Sequence, residues 1–281
     1  MHSKSDKRGK IMSNNDIKNF KYLDNLIHSG AKEIVLDTDI VLGSDEKSQY
    51  LNGIKLDVDD LAIDGNGHAI DALGLTRIFY CTGKNVTIKN IILKNGFTEE
   101  GGGAIYNKGE LTIIKSTLNN NTAHIGGAID NSGELTITES TLNNNTAQEG
   151  DGGAIRNYYG LLTITESTLN NNTAQEGDGG AINNWCCELT ISESTLNNNT
   201  AQRGGVIYME YSGLTISEST LNNNTAQRGG VIYNSWNGVL TISESTLNNN
   251  TAQRGGVIYS YDKKSFEIKD CKLDNNISND Y

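Results

Sequence analysis

The chain has 281 residues, 36% apolar and only 6% aromatic, with 31 glycines, no proline and a formal net charge of −11. Such a composition suits a long, thin core better than a thick globular one. The acidic balance argues against nucleic acid or an anionic membrane as a partner, since both require a basic footprint, and no stretch approaches the ~18 apolar residues of a membrane span.

Residues 1–15 are basic and polar and lack the apolar centre of a secretory signal. They are expected to be disordered. Over 16–30, Phe20, Leu23, Leu26 and Ile27 fall at helical spacing, with Asn15 as a cap and Ser29-Gly30 as a stop. The remainder of the chain is repetitive, and a stack of repeats exposes an apolar end and unpaired backbone groups. The helix is expected to cover that end.

From Leu111 the repeats are nearly identical. Leu-Thr-Ile triplets begin at Leu111, Leu135, Leu162, Leu189, Leu214 and Leu240, so the steps are 24, 27, 27, 25 and 26 residues. Each is followed by Ser-Thr-Leu-Asn-Asn-Asn-Thr-Ala and then by Gly-Gly-Ala-Ile or Gly-Gly-Val-Ile. Ile34-Val-Leu36, Leu61-Ala-Ile63 and Val86-Thr-Ile88 extend the spacing upstream, and Phe266-Glu-Ile268 extends it downstream, giving about ten coils. A period of this size signals a solenoid.

Leucine-rich repeats need more regular leucines than the two found here. Leu135-Thr136-Ile137-Thr138 alternates as a strand with one buried face does. Leu142 marks a second short strand and Ala154-Ile155 a third, after a Gly152-Gly153 corner. The expected fold is therefore an all-β, right-handed parallel β-helix over 31–281, three short strands per coil, with like positions roughly 4.8 Å apart. The hand is the usual one for parallel crossovers.

The asparagines refine this reading. Asn121, Asn145, Asn172, Asn199, Asn224 and Asn250 hold one offset and are expected to form a buried amide ladder, since an amide carries both donors and an acceptor. The first two asparagines of each trio are expected to be solvated turns. The sequons they create, such as Asn144-Asn145-Thr146, are glycan acceptors if the chain is exported, but they arise automatically from the repeat.

Asp64-Gly65-Asn66-Gly67-His68, with Asn85-Val-Thr-Ile-Lys-Asn-Ile-Ile-Leu-Lys-Asn-Gly96, resembles the opening coils of pectate-lyase-like right-handed β-helix proteins. The alternation of Gly-Gly-Ala-Ile with Leu-Asn-Asn-Asn is similar to the repeats of polymorphic outer-membrane proteins, with Leu where those have Phe. The combination most resembles the adhesin-like surface proteins of methanogenic archaea, over roughly residues 31–281. The resemblance implies a cell-surface or extracellular protein, not an enzyme, that recognises glycans or a surface protein of a partner cell. Such proteins carry a signal sequence and an anchoring region; neither is read in this chain, for which a fragment or an altered start would account.

The rival reading is a polysaccharide lyase or glycoside hydrolase, for which Asp59, Asp60, Asp64, His68 and Asp71 are the candidates. Asp64 and Asp71 bracket glycine turns, where Asp commonly bonds its own backbone, and His68 has no evident partner. No catalytic residue is assigned. A remoter reading is an ice-binding protein, from the Thr-x-Thr pairs Thr136/Thr138 and Thr163/Thr165.

Three sets of side chains are candidates for binding. Glu149, Asp151, Glu176 and Asp178 lie in two acidic corners one coil apart, placed to share a hard cation such as calcium or simply to be solvated; no other cofactor is expected. Arg203, Arg228 and Arg254 form a basic row, with Glu193, Glu218 and Glu244 expected nearby to offset it. Tyr158, Tyr159, Trp185, Tyr208, Tyr211, Tyr233, Trp236 and Tyr259 make an aromatic edge. Tyr208, Tyr233 and Tyr259 share their offset with Asp130, Arg156 and Asn183, whose burial would be costly. The row is therefore expected to be exposed, suited to sugar rings or a protein partner, with mutual stacking over a bend as the alternative. Cys81, Cys186, Cys187 and Cys271 are too far apart, or too strained as neighbours, for a disulfide frame.

Overall fold

In a computed structural model, residues 18–261 and 266–279 are described. The segment 1–15 expected to be disordered, and the cap expected at Asn15, lie outside them. Helix α1 (Phe20–Ile27) buries Phe20, Leu23 and Ile27. Its cap is Asn19, whose Oδ1 accepts from the Tyr22 N–H at 3.0 Å. The Glu46 carboxylate closes the same end, accepting from the Phe20 and Lys21 N–H groups and from Gly43 at 2.7–3.2 Å. A buried anion there is favoured because the first amides of a helix have no partner of their own.

The rest is a parallel β-helix. The Leu-Thr-Ile strands form a first sheet of ten strands, from Glu33–Val35 to Phe266–Lys269, and the Ile strands that follow each Gly-Gly form another of nine, from Ile54–Leu56 to Ile258–Ser260. The Thr-Leu-Asn segments build a second sheet, six strands long and continued by single bridges through Thr195, Thr220 and Thr246. Besides these three expected strands, the Thr-Ala pair forms a short fourth one in many coils, such as Thr146–Ala147. In chain order the four sheets are called first (Leu-Thr-Ile), second (Thr-Leu-Asn), third (Thr-Ala) and fourth (Ile).

Register follows the repeat. Leu135 pairs with Leu162, Ile137 with Ile164 and Leu142 with Leu169, and all six are buried in one continuous core. The first coil is an exception: Ile34 pairs with Ile63, not Leu61. That two-residue shift keeps Ile34 inward and leaves Leu36, past the strand end, buried as well.

Each asparagine of a trio has a different job. The third is fully buried, and its amide bridges coils: Asn145 Nδ2 donates to Asn172 Oδ1 at 3.1 Å, and Asn172 Nδ2 to Asn199 Oδ1 at 3.1 Å. The same Oδ1 of Asn172 also accepts the Asn145 backbone N–H at 3.0 Å, and Asn172 Nδ2 reaches the Leu142 carbonyl at 2.9 Å. The row continues through Asn121, Asn199, Asn224 and Asn250. The middle asparagines are exposed with positive φ, 55° at Asn171, a conformation that asparagine tolerates better than most residues. The first ones, expected to be mere solvated turns, form an outer ladder instead: Asn197 N–H donates to Asn170 Oδ1 and Asn222 N–H to Asn197 Oδ1, both at 2.8 Å. Serine adds a further row, with Ser140 N–H donating to Ser167 Oγ at 3.1 Å.

A second buried amide ladder runs along the fourth sheet, through Asn107, Asn131, Asn157 and Asn184, with Nδ2 to Oδ1 distances of 2.6–2.7 Å. Met209 takes the next place, and beyond it Asn234 resumes the column. Among the described residues the buried Asn234 Oδ1 has no hydrogen-bond partner. Met209 therefore interrupts a ladder and leaves an acceptor stranded.

Chemical denaturation separates these roles. Asn172→Ala strands the groups above and below it and is expected to cost about 3 kcal/mol, whereas Asn171→Gly, at a positive φ, is expected to stay within about 0.5 kcal/mol of the parent. Met209→Asn is expected to reconnect the second ladder and hold stability within about 1 kcal/mol of the parent, while Met209→Ala loses about 3 kcal/mol to a cavity. A Met209→Asn variant as damaged as Met209→Ala would mean that the column does not act as a ladder.

Candidate functional site

The outward positions of the fourth sheet form one column: Tyr80, Tyr106, Asp130, Arg156, Asn183, Tyr208, Tyr233 and Tyr259 pair in that order. The corner preceding each strand carries the acidic pairs and the arginines. Tyr158 and Trp185 end their strands, and the corner after them carries Tyr159, Tyr211 and Trp236. The face is thus a trough with a mixed floor, one charged border and one aromatic border.

The tyrosine row corrects an expectation. Tyr208 and Tyr233 are only 6% and 3% exposed, although they point away from the core. Their rings stack at 5.4 Å and 8°, and Tyr233 stacks on Tyr259 at 5.1 Å and 11°. The Arg203 guanidinium lies 5.0 and 5.2 Å from the Tyr208 and Tyr233 centroids, and that of Arg228 lies 5.8 Å from Tyr259. Two members of the basic row, Arg203 and Arg228, expected as part of a separate feature, therefore cover the tyrosines; a cation over an aromatic face is held by the ring's quadrupole. Tyr208 Oη donates to Glu210 Oε2 at 2.6 Å, and burial foremost, then that carboxylate, pushes the phenol's pKa well up.

Nor are the charges at the same offset left bare. Asp130 is buried but paired with Arg156 Nη1 at 3.1 Å. Arg156 in turn lies 4.3 Å from the Tyr158 centroid.

The acidic corners do not gather their four carboxylates. Glu149 points outward, 3.5 Å from His124, and Glu176 is exposed. Asp178 is buried and takes a two-point contact from Arg203 through Nε and Nη2. Asp151 Oδ1 accepts the Asp178 N–H at 2.9 Å. Among the described residues no three acidic, histidine or cysteine side chains form a metal-sized group. Glu193, Glu218 and Glu244 sit at positive φ on a different corner, between the first and second sheets, and Arg203 finds Asp178 in their stead.

The exposed aromatics lie along the other border. Tyr159, Tyr211, Trp236 and Tyr261 are each between 44% and 61% exposed. Tyr158 stacks on Trp185 at 4.6 Å and 9°, with Tyr159 edge-on to both, and Trp236 leans on Tyr261 at 4.6 Å. The aromatic set read from sequence therefore divides into a sealed row and an open row.

Between the borders lies a cavity of about 250 Å³, floored by Asn183 and Arg156 and walled by Asp151, Trp185, Tyr208 and Glu210. Nothing in the repeat pattern itself marks Asn183, Arg156 or Glu210 as binding residues. The available signal was the break in the tyrosine column at Asn183, three coils before its end.

The enzymatic candidates sit at strand ends and turns, Asp64 and Asp71 closing short strands. Asp64 Oδ1 accepts from the Asn66 N–H and Asn90 Nδ2, and Asp71 Oδ1 from the Leu73 N–H and Asn95 Nδ2. Asp59 accepts from the Lys84 N–H and Asp60 from Asn85 Nδ2. His68 does have a partner, Asp39, at 3.2 Å. All four cysteines are free thiols.

No protein-family model matches the chain, and no characterised protein matches it in sequence. The fold is that of a parallel β-helix; the likeness to archaeal surface proteins rests on the motifs alone.

Burial holds the Asp151 carboxyl above its ordinary pKa of 3.8, against the opposing pull of the Asp178 N–H and of Arg203. A carboxyl that keeps its proton better when folded favours the folded chain at low pH, and that contribution is lost as pH rises from the unfolded value through the folded one. Asp151→Asn retains the oxygen that accepts from Asp178 without the charge. It is expected to melt a few degrees above the parent at pH 7, with the difference gone at pH 3; a lower melting temperature at pH 7 would reverse the assignment.

Proposed function

We propose that this chain is a non-enzymatic, adhesin-like recognition protein of the cell surface that binds glycans along the outer face of the fourth sheet. The observation that carries this reading is the open aromatic row of Tyr159, Tyr211, Trp236 and Tyr261, about half exposed on a backbone whose coil-to-coil register is pinned by two buried amide ladders. Exposed rings at one edge of a rigid trough suit the apolar faces of sugars. Exposed aromatic surface gathered along one edge is commonly an interaction site.

The stacking repeats support a rod whose length changes by whole coils without disturbing neighbours. The engagement of Asp64 and Asp71 in turn hydrogen bonds and of Asp59 and Asp60 in coil-to-coil ones favours recognition over bond cleavage, since each carboxylate already has a structural task. Among the described residues no helix is long and apolar enough to cross a membrane.

On a glycan array the purified chain is expected to bind a restricted set of glycans. The combined Tyr159→Ala, Tyr211→Ala and Trp236→Ala variant is expected to lose at least tenfold in affinity while its melting temperature stays within a few degrees, because the rings lie outside the core. Release of reducing or unsaturated sugars from the bound glycans would instead establish the enzymatic reading.

A further inference from the structure

We propose that the gap in the tyrosine column at Asn183 is a subsite for one neutral pyranose ring. This inference rests on the reading of the fourth sheet's face as a glycan-binding surface and gives it a chemical specificity.

The gap has the shape of a missing side chain. Tyr259, Tyr233 and Tyr208 stack at 5.1 and 5.4 Å, and the next place down the column belongs to Asn183. The shorter side chain leaves the cavity of about 250 Å³. Tyr233 covers one face of Tyr208, so the other is turned toward the coil of Asn183. A volume below the roughly 300 Å³ lower end of drug-sized pockets suits one ring, not a chain.

The polar groups define what enters. Asn183 is 5% exposed and lines the cavity, and among the described residues no group hydrogen-bonds to its side-chain amide, which is therefore free to bind what enters. A planar amide offers two donors and an acceptor on one edge, the complement of adjacent sugar hydroxyls that each donate and accept. Asp151 has one oxygen engaged by the Asp178 N–H, and Glu210 has one engaged by Tyr208 Oη. The remaining oxygen of each is an acceptor for a further hydroxyl.

Charge excludes acidic sugars. Arg156 is paired with Asp130 and Arg203 with Asp178, whereas among the described residues Asp151 and Glu210 form no salt bridge. Arg156 and Arg203 are outnumbered in the lining by Asp151, Asp178 and Glu210, so the balance of charge in the cavity is negative and would repel a sugar carboxylate. An aromatic protein side chain inserted there would remove water from Asn183 and Asp151 without replacing their hydrogen bonds, which is costly. A neutral sugar replaces them.

The test uses the whole chain and a probe panel of methyl glucoside, galactoside, mannoside and N-acetylglucosaminide, with methyl galacturonide as the acidic control, read by ligand-observed NMR and by glycan array. Asn183→Tyr continues the tyrosine stack and fills the gap; the ring contacts it gains offset the water it displaces from Asp151, so the variant is expected to fold with a melting temperature within a few degrees of the parent's. It should lose at least tenfold in affinity for a neutral pyranoside that the parent binds. Asn183→Asp, of the same shape, is expected to weaken binding less. If the parent binds glycans and Asn183→Tyr binds them equally well, the subsite is overturned while the recognition surface stands. Preference for the galacturonide would overturn the neutral assignment. If the parent binds no glycan at all, the proposed function falls and the sugar subsite with it.

Discussion

The structure depends on the buried asparagine amide whose partners lie in other coils. Such a group is expensive to hide unless its donors and acceptor are met, and within one coil they are not. Asn172 is satisfied by Asn145 on one side, Asn199 on the other and the carbonyl of Leu142. Each coil is therefore acceptable only in the company of its neighbours. The apolar contacts of leucine and isoleucine are non-directional and would tolerate slippage; the amides would not, because a shift of one residue strands every member of the row.

That constraint frees the outer surface. Once two internal ladders fix register, the outward positions of the fourth sheet can differ from coil to coil without consequence for the fold, and they do: tyrosine, aspartate, arginine and asparagine all occupy the same column. A regular interior thus carries an irregular exterior. Buried charge on that exterior is admitted only where a neighbour answers it, as Arg156 answers Asp130 and Arg203 answers Asp178. Where no neighbour answers, at Asn183, the floor of a cavity results.

The departures from expectation share a cause. The tyrosine row was expected in solvent because its column includes charges, and burying an unpaired charge is costly. The inference failed because the charges are paired across coils, and because the arginines of the preceding corner fold over the rings. Likewise, the four carboxylates of the acidic corners share a sequence phase, but a side chain's direction depends on what it meets: Asp178 turns to Arg203, Glu149 to His124. Equal offset determines stacking of backbones; it does not determine the aim of flexible side chains.

The sequence alone therefore determined the repeat, the parallel coils, the inward leucine and isoleucine columns and the third-asparagine ladder, because each of these is a periodic property and periodicity is visible in one dimension. It also contained the break at Asn183, which can be read once like positions are aligned. Only the tertiary structure decided that the first asparagines make an outer ladder, that Arg203 seals Tyr208 and Tyr233, that the four carboxylates of the acidic corners do not converge, and that a cavity opens beside Trp185. Those features arise between different columns, where distances across corners are set by the three-dimensional path of the coil and by which charge lies within reach.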